Sequence, residues 1–156
     1  MTGDQAGDAR LTGVIARVEV RELVEAYADA VNTRDEQRWA ATWHPEAVWD
    51  LGRARVEGRP AIVALWRDAM GAYEHVIQMV GHGGVTPDGS AGRWTIWELG
   101  RKDGANTLVV GCYRDRYTHD GTRWYFAERN FTVTYRAEMP PADFGAFPPN
   151  GIPGFS

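Results

Sequence analysis

Residues 111–131 read GCYRDRYTHDGTRWYFAERNF, two aromatic-rich runs joined at His119-Asp120-Gly121. Strand side chains alternate between two faces, and an Asp-Gly pair between such runs is turn chemistry, so the stretch predicts a β-hairpin. Alternation sets Tyr113, Asp115 and Tyr117 on one face and Cys112, Arg114 and Arg116 on the other. The first face is the apolar-looking one, and a carboxylate is rarely buried in such a face without a partner or a task. Asp115 is therefore a candidate catalytic group. The alternative is structural: pairing with an arginine such as Arg129, or hydrogen bonds to the neighbouring tyrosines.

The same reading extends upstream. Strands are expected over 75–85, 91–101, 106–118 and 123–136, separated by TPDGSAG, RKDGAN and THDG, which are all turn-forming. Nearer the N-terminus, Leu11, Val14, Ile15, Val18, Leu23, Val24, Tyr27 and Val31 recur at helical spacing. That helix is expected to end near Asn32-Thr33-Arg34, with Asp35 capping a short second helix over EQRWAATW that Pro45 stops. AVWDLG is a short strand that turns at Gly52 and returns through Arg55-Val56-Glu57. Pro60 suits the first turn of a third helix whose apolar face is Ile62, Leu65, Trp66, Ala69 and Met70. Helices first and an antiparallel meander afterwards make an α+β pattern, a curved, mostly antiparallel sheet wrapped around three N-terminal helices.

Three regions follow: residues 1–10 as a disordered lead-in, 11–136 as the folded domain, and 137–156 as a Pro-, Gly- and Phe-rich tail. Phe144, Phe147, Ile152 and Phe155 in that tail are expected to pack over a pocket mouth or a partner subunit. At 156 residues one domain is expected, with a net charge of -4 that argues against nucleic acid as a partner. The single cysteine, Cys112, suits a reducing compartment. No apolar run reaches the ~20 residues of a membrane span and the N-terminus is polar, so a cytoplasmic location is expected. Neither a dinucleotide fingerprint nor a P-loop nor a nucleophile elbow occurs, and His44, His75, His82 and His119 lack metal-site spacing. No cofactor and no metal are expected. Any catalysis would rest on side-chain acids and bases.

YADAVNTRDEQRWAATWHPEAVWDLG, VEGRPAIVALW, QMVGHGG, SAGRWTIWE and the 111–131 stretch, in that order, resemble the SnoaL-like branch of the nuclear transport factor two-like superfamily. The resemblance covers roughly residues 11–136 and implies a cone-shaped α+β barrel around an internal apolar pocket, commonly dimeric or trimeric. It also implies small-molecule chemistry: the superfamily includes dehydratases, a dehydrochlorinase, polyketide cyclases, ketosteroid isomerase and limonene epoxide hydrolase, besides binding proteins without catalysis. Its dehydratases pair an acid near the end of the first long helix with a histidine on the first long strand. Those positions align here with Asn32 and Met79, neither of which exchanges a proton at neutral pH. Tyr27 and Asp115 fall on the oxyanion-hole positions of ketosteroid isomerase, with Asp50 beside that enzyme's base position.

The candidate catalytic residues are thus Tyr27, His82 and Asp115, His82 being turned inward by a bulge at Gly81 and Gly83-Gly84. Asn32, Trp49, Asp50, Met79, Trp97 and Tyr113 are candidates for holding the substrate. The expected activity is cofactor-independent dehydration, cyclisation or isomerisation of a small apolar oxygenated molecule such as a polyketide, terpenoid or steroid-like ketone. The alternatives are a binding or partner-subunit protein without catalysis, and an epoxide or ester hydrolase. The expected partners are a small apolar ligand and further copies of the chain, as a homodimer or homotrimer.

Overall fold

The computed structural model describes residues 2–145. Its elements run α1 (Thr2–Asn32), α2 (Glu36–Ala40), β1 (Trp43–Asp50), β2 (Arg55–Glu57), α3 (Arg59–Ala72), β3 (His75–Val85), β4 (Ala91–Lys102), β5 (Ala105–His119) and β6 (Trp124–Met139). The strands form one curved, open sheet in the order β2-β1-β6-β5-β4-β3. Every neighbouring pair is antiparallel except β1 and β6, which run parallel. The helices cover the inner face, and this is the expected α+β architecture. No helix among the described residues is long and apolar enough to cross a membrane.

Each helix is set by its sequence. Asp35 caps α2, its carboxylate accepting from the Arg38 N–H at 2.9 Å. Pro60 stands in the first turn of α3, which buries Ile62, Trp66 and Met70. Arg34, in the left-handed region at φ 55°, closes α1. Its guanidinium then donates to the carbonyls of Met70, Tyr73 and Glu74, tying α1 to the exit of α3.

Three expectations change. Residues 2–10 are not a disordered lead-in but the start of α1, although Gln5 to Arg10 are exposed. Burial against the sheet from Ala16 onward holds the helix in place. The second helix stops at Ala40, and β1 begins at Trp43 with Pro45 inside it. A register shift against β6 between Trp43 and Val48 accommodates that proline. The last strand runs to Met139, beyond 136. After it, Asn106 Nδ2 donates to the carbonyls of Pro140 and Ala142, and Phe144 stacks on His75 with ring centroids 5.1 Å apart. Phe147, Ile152 and Phe155 lie outside the described residues.

The core is unusually aromatic. Trp39 stacks on Trp66 at 4.8 Å between centroids, and Trp43, Trp49, Tyr27 and Phe126 pack around Trp39 and one another. Each such ring removes roughly 150–250 Å² from water, so this cluster anchors the helices to the sheet.

Candidate functional site

Alternation along β5 holds as expected, with Val109, Tyr113, Asp115 and Tyr117 buried and Arg114 and Arg116 exposed. Asp115 lies directly opposite Arg129 on β6. Arg129 donates from Nε and Nη2 to the two carboxylate oxygens, each at 2.8 Å, and both side chains are 0% exposed. The Tyr117 hydroxyl donates to Asp115 at 2.8 Å and accepts from Trp94 Nε1 at 2.7 Å. Tyr113, Phe126 and Tyr27 pack their rings against the guanidinium at 3.7, 4.0 and 4.4 Å. Burial works against the Arg129 charge, but the Asp115 charge and its hydrogen bonds outweigh it and hold the guanidinium above its ordinary pKa. Asp115 is fully engaged within the core.

Beside this pair lies a cavity of about 290 Å³ between the sheet, α1 and α3. Its apolar wall includes Trp49, Trp66, Val109 and Phe131, and its polar wall includes Tyr27, Tyr73, Gln78, Glu98 and Tyr113. Strand register explains the polar wall. Gln78 on β3 faces Glu98 on β4, Glu98 faces Val109 on β5, and Val109 faces Arg136 on β6. The four form one transverse row on the inner face of the sheet.

The polar groups are linked. Glu98 accepts from the Tyr73 hydroxyl at 3.2 Å on one oxygen and from Gln78 Nε2 at 3.1 Å on the other. A carboxylate can only accept, which fixes the orientation of the Gln78 amide. Gln78 Nε2 also donates to the Tyr113 hydroxyl at 3.2 Å. Gln78 Oε1 and Trp49 Nε1 have no hydrogen-bond partner among the described residues, although both are buried. Burial, then the charge and hydrogen bond of Glu98, push the Tyr73 hydroxyl up to about 12. Burial and the adjacent Tyr27 push Tyr113 well above its ordinary value, and burial raises Tyr27 against the opposing charge of Arg129. At neutral pH these phenols are donors. Among the described residues, no three His, Cys, Asp or Glu side chains gather to share a metal ion.

A model of the SnoaL-like domain matches residues 13–130. The chain belongs to the SnoaL-like domain family. Its fold is similar to that of hexachlorocyclohexane dehydrochlorinase LinA-type3 from Novosphingobium barchaimii, at 19% identity over 89% of this chain and 99% of that one, with a TM-score of 0.77. A scytalone dehydratase candidate from Novosphingobium aromaticivorans is 14% identical over 90% of this chain and 97% of that one, with a TM-score of 0.74. An LEH-like epoxide hydrolase from Mycobacterium tuberculosis is 18% identical over 75% and 84% of the two chains, with a TM-score of 0.64. At these identities the likeness is one of fold. No curated protein matches the sequence.

Within this SnoaL-like frame the residues singled out from sequence separate. Tyr27, Trp49 and Tyr113 line the cavity. His82 does not: it lies exposed on the outer face of the sheet, its Nε2 3.2 Å from Thr95 Oγ1. The expected bulge is present, as a register shift between Val80 and Gly83. Gly83 sits so close over Trp94 that a Cβ there would collide with the indole. Because Met79 points outward, however, the bulge carries His82 outward with it. Met79 and Trp97 face each other across β3 and β4 on that outer side, 44% and 46% exposed, so neither lines the cavity. Asp50 also leaves the site. Its Oδ1 accepts from the Gly52 N–H at 2.8 Å and shapes the β1–β2 turn.

Asn32 is committed to backbone. Its Nδ2 donates to the Gln78 carbonyl at 2.9 Å, and its Oδ1 accepts from the Gln78 N–H at 2.6 Å. The inward strand residue facing the end of α1 is therefore Gln78, one position before the aligned Met79. The residues singled out from sequence included neither Gln78 nor Glu98. The signal for Glu98 was available: Trp94, Ile96 and Glu98 share a face, and the first two are buried.

Proposed function

We propose that this SnoaL-like domain takes a small, largely apolar, oxygenated molecule into the cavity and moves a proton on it, in a dehydration, cyclisation or isomerisation. Glu98 is the base and the Tyr113 hydroxyl the hydrogen-bond donor. The observation that carries this reading is the Glu98 carboxylate on the cavity wall, held in place by Tyr73 and Gln78. Glu98 takes a proton from carbon beside a carbonyl, Tyr113 hydrogen-bonds the oxygen as negative charge gathers on it, and Glu98 returns the proton to carbon or to a departing hydroxyl. Tyr113 suits the donor role because its raised pKa keeps the proton on the phenol.

Solvent-deuterium incorporation into enolisable cyclic ketones, followed by NMR, tests the assignment. The protein should exchange the position beside the carbonyl faster than buffer does, and Glu98→Gln should slow the exchange by about 10²–10⁴-fold. Equal rates for the two proteins would remove Glu98 from the mechanism. One observation favours a second reading, a binding protein without turnover. Asn32 and Met79 align with the acid and the histidine of the superfamily's dehydratases, and the inward strand residue beside Asn32 is a carboxamide, Gln78. Ketone binding without any deuterium incorporation by the wild-type protein would select that reading.

A further inference from the structure

The inner-face row carries more than a base. Arg136 ends it, and Arg53, from the turn between β1 and β2, reaches the same cavity. Both guanidinium groups are exposed at the rim, and neither forms a salt bridge or a hydrogen bond with another described residue. Glu98 is the natural counter-charge, yet it is turned to Tyr73 and Gln78. Register explains why. Glu98 and Arg136 lie two strands apart with Val109 between them, and at about 4.8 Å per strand their backbones are separated by about 10 Å. The cavity thus combines one carboxylate deep on its wall with two unpaired cations at its rim.

From this we infer that the ligand is a small monocarboxylate with a flat, apolar body and an oxygen at its far end. The carboxylate seats between Arg53 and Arg136, where planar guanidinium groups match carboxylate geometry. The body lies over Val109 against Phe131 and Trp49. A hydroxyl or carbonyl then reaches Gln78, Glu98 and Tyr113. The two buried, unpartnered atoms of the wall, Trp49 Nε1 and Gln78 Oε1, supply a donor and an acceptor for that oxygenated end. Anchoring the acid at the rim would hold the reacting carbon at a fixed distance along the row. The inference names the substrate class for the cavity proposed above and rests on that cavity being the functional one.

Calorimetric titration with 4-hydroxyphenylacetate, 3-phenylpropanoate and trans-cinnamate, each beside its methyl ester, tests it. The acids should bind at least about tenfold more tightly than the esters, and their affinity should fall with added salt. Arg136→Gln and Arg53→Gln should each remove about tenfold of acid affinity and leave ester affinity unchanged. Both side chains are exposed at the rim, so these variants keep the fold. Esters that bind as well as acids, acids indifferent to both substitutions, or failure of both sets to bind would overturn the inference. The proton-transfer reading stands or falls separately, on deuterium exchange in Glu98→Gln. Acids that bind through the arginines, beside cyclic ketones that gain no deuterium with the wild-type protein, would leave the ligand class intact and remove the catalysis.

Discussion

At the scale of single residues, Asp115 shows how an unusual burial pattern can be right about place while leaving two roles open. Period-two spacing alone put a carboxylate on the buried face of β5, and it is buried. Arg129 was the structural partner that the sequence offered, and the strand register sets it directly opposite, with a shift between Arg116 and Tyr117 beside the pair. With both partners inaccessible, replacing Asp115 by Asn leaves a guanidinium in the core without its counter-charge. Asp115→Asn should therefore destabilise the fold by about 3–5 kcal/mol, seen as a lower urea midpoint at unchanged slope. Asp115→Leu combined with Arg129→Met should recover much of that loss, since it removes both charges together. A single variant as stable as wild type would mean that the pair contributes nothing to the core. His82 teaches the complementary point. Its bulge was legible from Gly81, Gly83 and Gly84, but the direction of the turn depends on the parity of Met79, and the one-residue misplacement of Met79 passed through the bulge to His82.

Among elements, the decisive contact is that between the end of α1 and β3. β3 is the last strand of the sheet, so its outer N–H and C=O groups have no neighbouring strand. The Asn32 carboxamide supplies one donor and one acceptor to Gln78 and so stands in for the missing strand. Only a carboxamide does both, which gives a structural reason for the asparagine at this position. Asn32→Asp should cost about 1–3 kcal/mol, because its carboxylate would face the Gln78 carbonyl without a proton to donate. Chemical denaturation of this variant beside Asn32→Ala measures it, and an Asp variant equal to wild type would show that the contact does not fasten the edge. The end of α1, the starts of α2 and α3, and the turns between β4, β5 and β6 were readable because Asp35, Pro60 and the Asp-Gly turns act locally. The contact between Asn32 and Gln78 was not, since it joins residues 46 apart in the chain.

For the molecule as a whole, the sheet carries two adjacent rows of opposite character. The inner row, Gln78, Glu98, Val109 and Arg136, belongs to the cavity. The outer row, one residue further along β3 and one earlier along β4, is Met79, Trp97, Val110 and Tyr135, each facing the next across neighbouring strands. Three of its members are among the most exposed large apolar side chains of the described residues, Tyr135 at 54%. Large apolar groups gathered on one sheet face mark an association surface more often than a solvated one. A second copy of the chain pressed against this face would bury the indole of Trp97 at its centre, where aromatic residues contribute most to an interface. The protein should accordingly elute as a dimer or trimer, with its mass given by light scattering. Trp97→Arg should shift that mass toward the monomer without changing ligand affinity, because Trp97 is separated from the cavity by the thickness of the sheet. An unshifted mass would move the association surface elsewhere, with the exposed Leu11, Val14, Ile15 and Val18 stripe of α1 the next face to substitute.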